Sequence, residues 1–312
     1  MKQQLPGSGE KPLDRWLREL MPGKSWNEVR RFVRTGKVFV NGAAVLDPTS
    51  LVKAGAHLEF RQNAPRATRA PSLPRSAILH VDAQVVVVEK PAGISTVPYD
   101  ENEHGTLDEL VVETISERGR RAPLGIVHRI DKETSGVVVF ARTLAAKAAL
   151  KNQFRFHTVG RRYVAIAHGD VTGGVIKSRL VQDRGDGRRG STENSELGRE
   201  AVTHVKWLES LRGASLVECR LETGRTHQIR IHLSERGHPL VGERVYSKHY
   251  QGQLIAAPRL MLHARELSFE HPTTGERLSF EQAMPQDMQT VLGELRQAVA
   301  TAASSPRGAP PR

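Results

Sequence analysis

The 312-residue chain has a single cysteine, a shortage of acidic residues against its basic ones, and no long apolar run. One Cys excludes an intramolecular disulfide and any cysteine-based zinc site, and it suits a reducing compartment. No apolar stretch reaches the length of a membrane span, and the opening MKQQLPGSGEKP lacks the apolar core of a secretory signal. A cytoplasmic protein without membrane attachment is the expectation. No glycine-rich dinucleotide fingerprint or phosphate loop occurs.

What is present fits a globular protein: 38% hydrophobic and 26% charged residues exclude a disordered chain, and the length allows two domains. The charge is uneven. Net charge is +12, and residues 1–75 hold 14 Lys and Arg against 6 Asp and Glu. A basic excess gathered in one small region is the footprint of a polyanion partner. Nucleic acid is favoured over an anionic membrane, because no basic amphipathic helix with a broad apolar face is present.

In the first segment Leu13, Trp16, Leu17 and Leu20 recur at helical spacing, and Pro22-Gly23 stops that helix. Ser25 can cap a second helix carrying Val29, Phe32 and Val33, which displays Arg30, Arg31 and Arg34. Asn41-Gly42 after Val38-Phe39-Val40 is a hairpin signal, and Leu51, Ala56, Leu58 and Phe60 supply further short strands. Arg30, Arg31, Arg34 and Lys37 fall on one edge of this small module. The order of helix, Gly36-Lys37, strand and Asn-Gly turn resembles the S4 RNA-binding domain. The resemblance implies that these basic side chains meet phosphates and RNA shape rather than base sequence. The module is expected over residues 1–62, followed at 63–76 by a Pro, Ala, Arg and Ser linker.

The second domain, expected over 77–296, opens with two apolar strands around Ile78–Val81 and Val85–Val88. A helical stripe spans Thr106–Ile115, and a polar loop at residues 125–136 runs into the β-branched Val137–Phe140. A helix near Ala145–Phe154, a strand at Arg161–Ala167, strands at Ala201–Leu208 and Ser215–Leu221, and two more around a turn at residues 271–275 follow. Cys219 reads as a small core residue. Residues 183–199 read as a mobile glycine-rich loop, and Thr226 as a helix cap. Val291–Val299 suggests a last helix, with a disordered tail expected at 297–312. Strands outnumber helices without a repeating strand–helix unit. The expected class is α+β: a small S4 module, then a mixed, mainly antiparallel sheet with peripheral helices.

Four motifs carry a second resemblance. They are Lys90-Pro91-Ala92-Gly93, His128-Arg129-Ile130-Asp131 with Thr134-Ser135-Gly136, Arg162-Tyr163-Val164-Ala165, and Gly224-Arg225-Thr226-His227-Gln228-Ile229-Arg230 with His232-Leu233. With Gly237-His238-Pro239, Gly242 and Tyr246 behind them, they cover nearly all of residues 77–285. In this order they are similar to the RluA-like pseudouridine synthases, which isomerise uridine in ribosomal and some transfer RNAs. Ile130 stands where that family usually has Leu, and Glu133 where it has Asp. The glycine-rich 183–199 stretch is particular to this chain.

The resemblance implies a chemistry. The N1–C1′ bond of uridine breaks, the uracil turns, C5 joins C1′ and the C5 proton leaves. No redox change occurs, so no cofactor is implied. Asp131 is the implied carboxylate, either a nucleophile at C1′ or an aid to proton removal at C2′. A carboxylate working in a dry pocket needs a nearby cation, and the family pattern assigns that to Arg230. Tyr163 is implied to stack on the uracil and assist a proton transfer. Arg129 is implied to fill the gap left by an extruded base, since a stacked uridine cannot be reached. Lys90, His128, Thr134, Arg225, His227 and Gln228 are the further residues expected against RNA, with His128 bonding locally or to phosphate. The expected partner is RNA, large-subunit ribosomal RNA first and transfer RNA second, and a monomer is the default.

Two competing readings are weighed against this one. A metal enzyme built on His227, His232 and His238 fails on spacing, since five and six residues do not match the helical pair of a zinc protease. A non-catalytic RNA-binding or ribosome-associated protein would have no reason to keep Asp131, Tyr163 and Arg230 together.

Overall fold

The computed structural model describes residues 2–64, 73–99, 103–116 and 123–304. The chain divides into two units, residues 1–72 and 73–312.

In the first unit, strands β1 (Lys2–Gln4) and β2 (Glu10–Pro12) precede helices α1 (Leu13–Leu20) and α2 (Trp26–Arg34). Strands β3 (Val38–Val40), β4 (Ala43–Ala44), β5 (Leu51–Lys53) and β6 (His57–Phe60) complete it. The sheet order is β1-β6-β3-β4, with β2 and β5 paired separately. Ser25 caps α2 in a reciprocal box: its hydroxyl accepts from the Glu28 N–H, and the Glu28 carboxylate accepts from the Ser25 N–H. Asn41 and Gly42 both take positive φ, 51° and 82°, as a two-residue hairpin turn requires. Leu13, Trp16, Leu17, Val29, Val33 and Leu58 form the core, where the Trp16 indole N–H reaches the Val52 carbonyl at 2.9 Å.

The second unit is built on an 11-stranded sheet. Its elements are β7 (Ile78–Val81), β8 (Val85–Lys90), α3 (Leu107–Ile115), β9 (Gly125–Ile126), β10 (Ser135–Ala141), α4 (Leu144–Arg155) and β11 (Gly160–His168). Then come β12 (Gly174–Val181), β13 (Gly190–Thr192), β14 (Arg199–Leu211), β15 (Ala214–Leu221), α5 (Gln228–Glu235), β16 (Leu262–Glu270), β17 (Arg277–Glu281) and α6 (Gln286–Ser304). Strand order along the main path is β13-β12-β14-β15-β11-β16-β10-β8-β7. All pairings are antiparallel except β10 with β16. The expected mixed, mainly antiparallel architecture is the one found.

Helices on both faces explain why β8 and β10 read as unbroken valine runs. Val86, Val88, Val138 and Phe140 pack under α3, with Leu107, Leu110 and Val111. Their alternates Val85, Val87, Val137 and Val139 pack with Ala146 and Leu150 of α4. The parallel pairing brings Gly136 against Ala264, where an added Cβ would lie 2.2 Å from a backbone oxygen at φ +123°. Only glycine passes there. Cys219 is fully buried, and burial pushes its thiol up to about 12.

Several expectations are corrected. Residues 183–199 are not loop throughout, because Gly190–Thr192 forms β13 on β12, tied to α5 by Ser191 donating to Glu235. The second unit starts earlier than residue 77, since Leu73 is already in its core. The last helix runs to Ser304, past the expected tail boundary at 297, because the Ala-rich AVATAAS continues a good helix former. Linker residues 65–72 and tail residues 305–312 lie outside the described residues.

Candidate active site

The polar loop at 125–136 is held from three sides. Strand β9 pairs with the far end of β10, so the chain must run back along the sheet before entering at Ser135. Thr96 grips both polar atoms of Ile130: its hydroxyl donates to the carbonyl at 2.8 Å and accepts from the N–H at 3.2 Å. The Lys132 carbonyl accepts from Gly93 N–H at 2.8 Å and from Lys90 Nζ at 3.0 Å. Thr134 N–H closes a turn onto the Asp131 carbonyl at 3.0 Å.

This fixes Asp131 in the wall of a cavity of about 410 Å³, together with Tyr163 from β11 and Arg230 from α5. The Asp131 side chain is 17% exposed, and its Oδ2 lies 3.5 Å from Arg230 Nη1 and 4.0 Å from His227 Nε2. The three residues expected to act together therefore meet, although 99 positions separate Asp131 from Arg230.

The stronger partner of Arg230 was missed in the sequence. Glu243, with a fully buried carboxylate, accepts from Arg230 Nε at 2.7 Å and Nη2 at 2.8 Å. It also accepts from the Val245 N–H at 2.8 Å and the Tyr246 N–H at 3.3 Å. Burial drives Glu243 up, but Arg230 and these backbone donors outweigh it and hold the carboxyl below its ordinary value. Burial likewise opposes the Arg230 charge, and Glu243 with Asp131 raises it above its ordinary value. The only sequence signal was its position, between Gly242 and Tyr246. The bidentate clamp leaves the Nη1 edge of the guanidinium facing Asp131.

Tyr163 is 8% exposed, and burial pushes its phenol up to about 12, so it is a protonated ring at neutral pH. It can offer a face and a donor, not a base. His227 occupies the left-handed cap position before α5 at φ 59°, and no side chain caps that end, so Thr226 is not the cap. Its Nδ1 meets the Tyr246 hydroxyl at 2.7 Å, and burial holds it below its ordinary value against the pull of Asp131.

Lys90 and Gln228, expected against RNA, have their polar groups taken up within the protein, and His128 bonds locally, one of its two expected roles. Lys90 is fully buried, and its ammonium donates to the carbonyls of Pro91, Ile94 and Lys132 at 3.0, 2.9 and 3.0 Å. Gln228 is buried in a network with Thr223, Arg225 N–H, Val202 and Thr203. His128 accepts from the Val139 N–H at 3.1 Å and stacks on Phe154, and burial holds it down at about 3. Thr134 is 1% exposed and lines the cavity, its hydroxyl unpartnered. Arg225 lines the cavity, with Nε on the Glu200 carbonyl. Arg129 stands exposed at the rim, its guanidinium 4.5 Å from the Tyr99 ring centre.

In the first unit Arg30, Arg31 and Arg34 are exposed, Arg30 pairing with the buried Asp14 at 2.9 Å. Lys37 turns back onto the Ala64 carbonyl. The three histidines weighed as a metal set go to different partners: His232 to Thr203 and Ser178, His238 to the His168 carbonyl, and His227 to Tyr246. Among the described residues no His, Cys, Asp and Glu group converges as a metal site.

A mixed sheet flanked by helices, with this carboxylate, tyrosine and clamped arginine around one cavity, is the fold of a pseudouridine synthase. The RNA pseudouridylate synthase family pattern matches residues 84–235, and the S4 domain pattern matches residues 11–58. Ribosomal large subunit pseudouridine synthase D of Zymomonas mobilis is 38% identical over 292 residues, covering 89% of this chain and 91% of its own. The protein of the same name from Pseudomonas aeruginosa is 35% identical over 306 residues, covering 93% of each chain. The solved human RNA Pseudouridylate Synthase Domain Containing 4 superposes with a TM-score of 0.58 at 27% identity, covering 70% of this chain and 93% of that one. The chain belongs to the RNA pseudouridylate synthase family, as an enzyme that isomerises uridine in RNA, with an S4 domain at its N-terminal end.

Proposed function

We propose that the chain converts specific uridines of large-subunit (23S) ribosomal RNA to pseudouridine, with Asp131 acting at the sugar of a flipped-out nucleotide. The observation that carries this reading is the Asp131 carboxylate in the cavity wall, 3.5 Å from an arginine that a buried glutamate already holds in place. The relatives' shared name supports the choice of RNA. The S4 unit, over residues 1–62, grips RNA through Arg30, Arg31 and Arg34. The catalytic unit, from Leu73 onward, performs the isomerisation as a cytoplasmic monomer.

Each residue has a part. Asp131 either bonds to C1′ or takes a C2′ proton. Arg230 keeps the carboxylate charged and oriented. Tyr163 lends its face to the uracil. Arg129 leaves Tyr99 and enters the stack where the uridine was. Asp131→Asn is isosteric and uncharged, so it should abolish pseudouridine formation while leaving RNA affinity within a few-fold of wild type. Mapping pseudouridine in cellular RNA from strains with wild-type protein, with Asp131→Asn and with none tests target and residue together. Sites lost from transfer RNA alone would overturn the choice of ribosomal RNA, and sites retained with Asp131→Asn would overturn the role of that carboxylate.

A further inference from the structure

We propose that Arg161 contacts the uracil itself and takes up the negative charge that develops on it when the N1–C1′ bond breaks. The proposal rests on the reading that the cavity at Asp131 receives the flipped uridine.

Among the described residues of the catalytic unit three arginines are buried: Arg161, Arg230 and Arg259. Arg230 is clamped by Glu243, and Arg259 donates to both oxygens of Asp287 at 2.5 and 2.9 Å. Arg161 is different. It is 7% exposed, and among the described residues no carboxylate pairs with it. Its Nη2 donates to the Glu222 carbonyl at 2.6 Å, and its guanidinium lies 5.6 Å from the Phe154 ring centre. Its Nε–H is buried with no acceptor. An uncompensated buried cation is costly, and a donor left unpaired adds to that cost. Arg161 lines the cavity that holds Asp131 and Tyr163. An anion entering that cavity would supply what the protein does not.

The space is also reserved. A Cβ on Gly224 would lie 2.4 Å from Arg161 Nη1. Arg161 precedes Tyr163 by two positions on β11, so both side chains face the cavity roughly 7 Å apart along the strand. A uracil lying on the Tyr163 ring thus has its exocyclic oxygens within a guanidinium's reach. A backbone phosphate is the other anion RNA could bring, but a phosphodiester stays near solvent, where the exposed Arg155 and half-buried Arg225 stand at the same cavity.

The N1–C1′ pair leaves with the uracil and spreads over N1, O2 and O4. Arg161 N–H groups donate to that charge without giving up a proton. When C5 attacks C1′ a pair of the uracil anion forms the new bond and Asp131 is released as a free carboxylate. C5 then loses its proton to solvent or a nearby base and N1 takes one up, so the product is neutral. Such a preorganised donor lowers the barrier because it meets charge that appears only in the transition state.

The test uses full-length enzyme, single turnovers and an unmodified large-subunit RNA transcript, made with uridine or with 5-fluorouridine, whose base is the more stable anion. Wild-type turnover of the uridine transcript is required first. Its absence, or retained activity in Asp131→Asn, would sink the underlying reading rather than the role of Arg161. Given that, Arg161→Met should lower the bond-breaking rate constant about 100- to 1000-fold at saturating RNA, with Kd little changed. Arg161→Lys should recover part of it. Gly224→Ala, which displaces the guanidinium but keeps its charge, should lose about tenfold or more. The Arg161→Met loss should shrink on 5-fluorouridine RNA. If Arg161→Met does not fold, Arg161→Lys and Gly224→Ala carry the comparison. An unchanged rate at saturation with weakened Kd and a shallower salt dependence would assign Arg161 to a phosphate and overturn the proposal. Equal losses on both transcripts would reduce it to packing and overturn it as well.

Discussion

Arg230 serves two carboxylates unequally, and that inequality sets what its neighbours can tolerate. Removing Glu243 strands a buried guanidinium, while removing Arg230 strands a buried carboxylate. Glu243→Ala should therefore destabilise the protein by roughly 3–5 kcal/mol in urea unfolding. The double change Arg230→Met with Glu243→Leu should regain most of that stability and no activity. Glu243 escaped notice in the sequence because a glutamate in a Gly-Glu-Arg turn looks like a surface charge. Nothing local announces that its carboxylate is 0% exposed. Tyr163 was legible, but its protonation was not: the phenol is held near 12 by burial contributed from distant strands. Tyr163→Phe keeps the face and should lose less turnover than Tyr163→Ala. The second change should cost a further factor of about 10 to 100, the worth of one stacked base. Equal losses, measured as kcat on the same RNA, would transfer the role from ring to hydroxyl.

At the scale of elements, the Asp131 loop depends on Lys90 more than on any contact of its own. Three carbonyls from two segments converge on one ammonium. Lys90→Met would leave those acceptors without their donor inside the fold. It should lower Tm by several degrees and reduce kcat far more than it weakens RNA binding. Unchanged melting would show that water replaces the ammonium. The sequence showed the basic residue and its motif, and charge alone suggested RNA. A charge that faces inward cannot be told from one that faces outward without the sheet that buries it. Helix α2 and the Asn41-Gly42 hairpin were legible for the opposite reason, since caps and turns depend on residues a few positions apart. Strands β12 and β13 were not, because β12 pairs with β14 across a glycine-rich stretch and β13 pairs back onto β12.

For the whole molecule, two bulk properties follow. Arg31 and Arg34 are exposed on the first unit. Replacing both with Gln should weaken RNA binding with little effect on turnover at saturation. It should also make the slope of log K against log salt shallower by about 1.4–1.8. An unchanged slope would place the phosphate contacts elsewhere. The second property is acid sensitivity. His128, His232 and His263 are held at about 3, 4 and 4 by burial, against an ordinary value of 6.5. Above pH 6.5 they are neutral folded and unfolded, so they contribute no difference. Between 6.5 and about 4 only the unfolded chain takes up the protons, so stability falls as pH falls, by up to about 1.4 kcal/mol per unit for each histidine. Melting curves at pH 7.5, 6 and 5 should show the decline, and His263→Gln should flatten part of it.

Strand β16 lies between β10 and β11, which position Asp131 and Tyr163, yet it is synthesised long after both. Until residues 262–270 emerge from the ribosome, those two strands have no common neighbour to hold them at working distance. Loop-closure entropy over more than 120 residues must be overcome for Ser135 to find His263, which makes this pairing a late, slow event. β16 is the keystone: a nascent chain halted at residue 255 should show the S4 unit folded and the catalytic centre unassembled. Limited proteolysis of stalled chains would reveal whether activity appears in one step, as that strand slides into its slot.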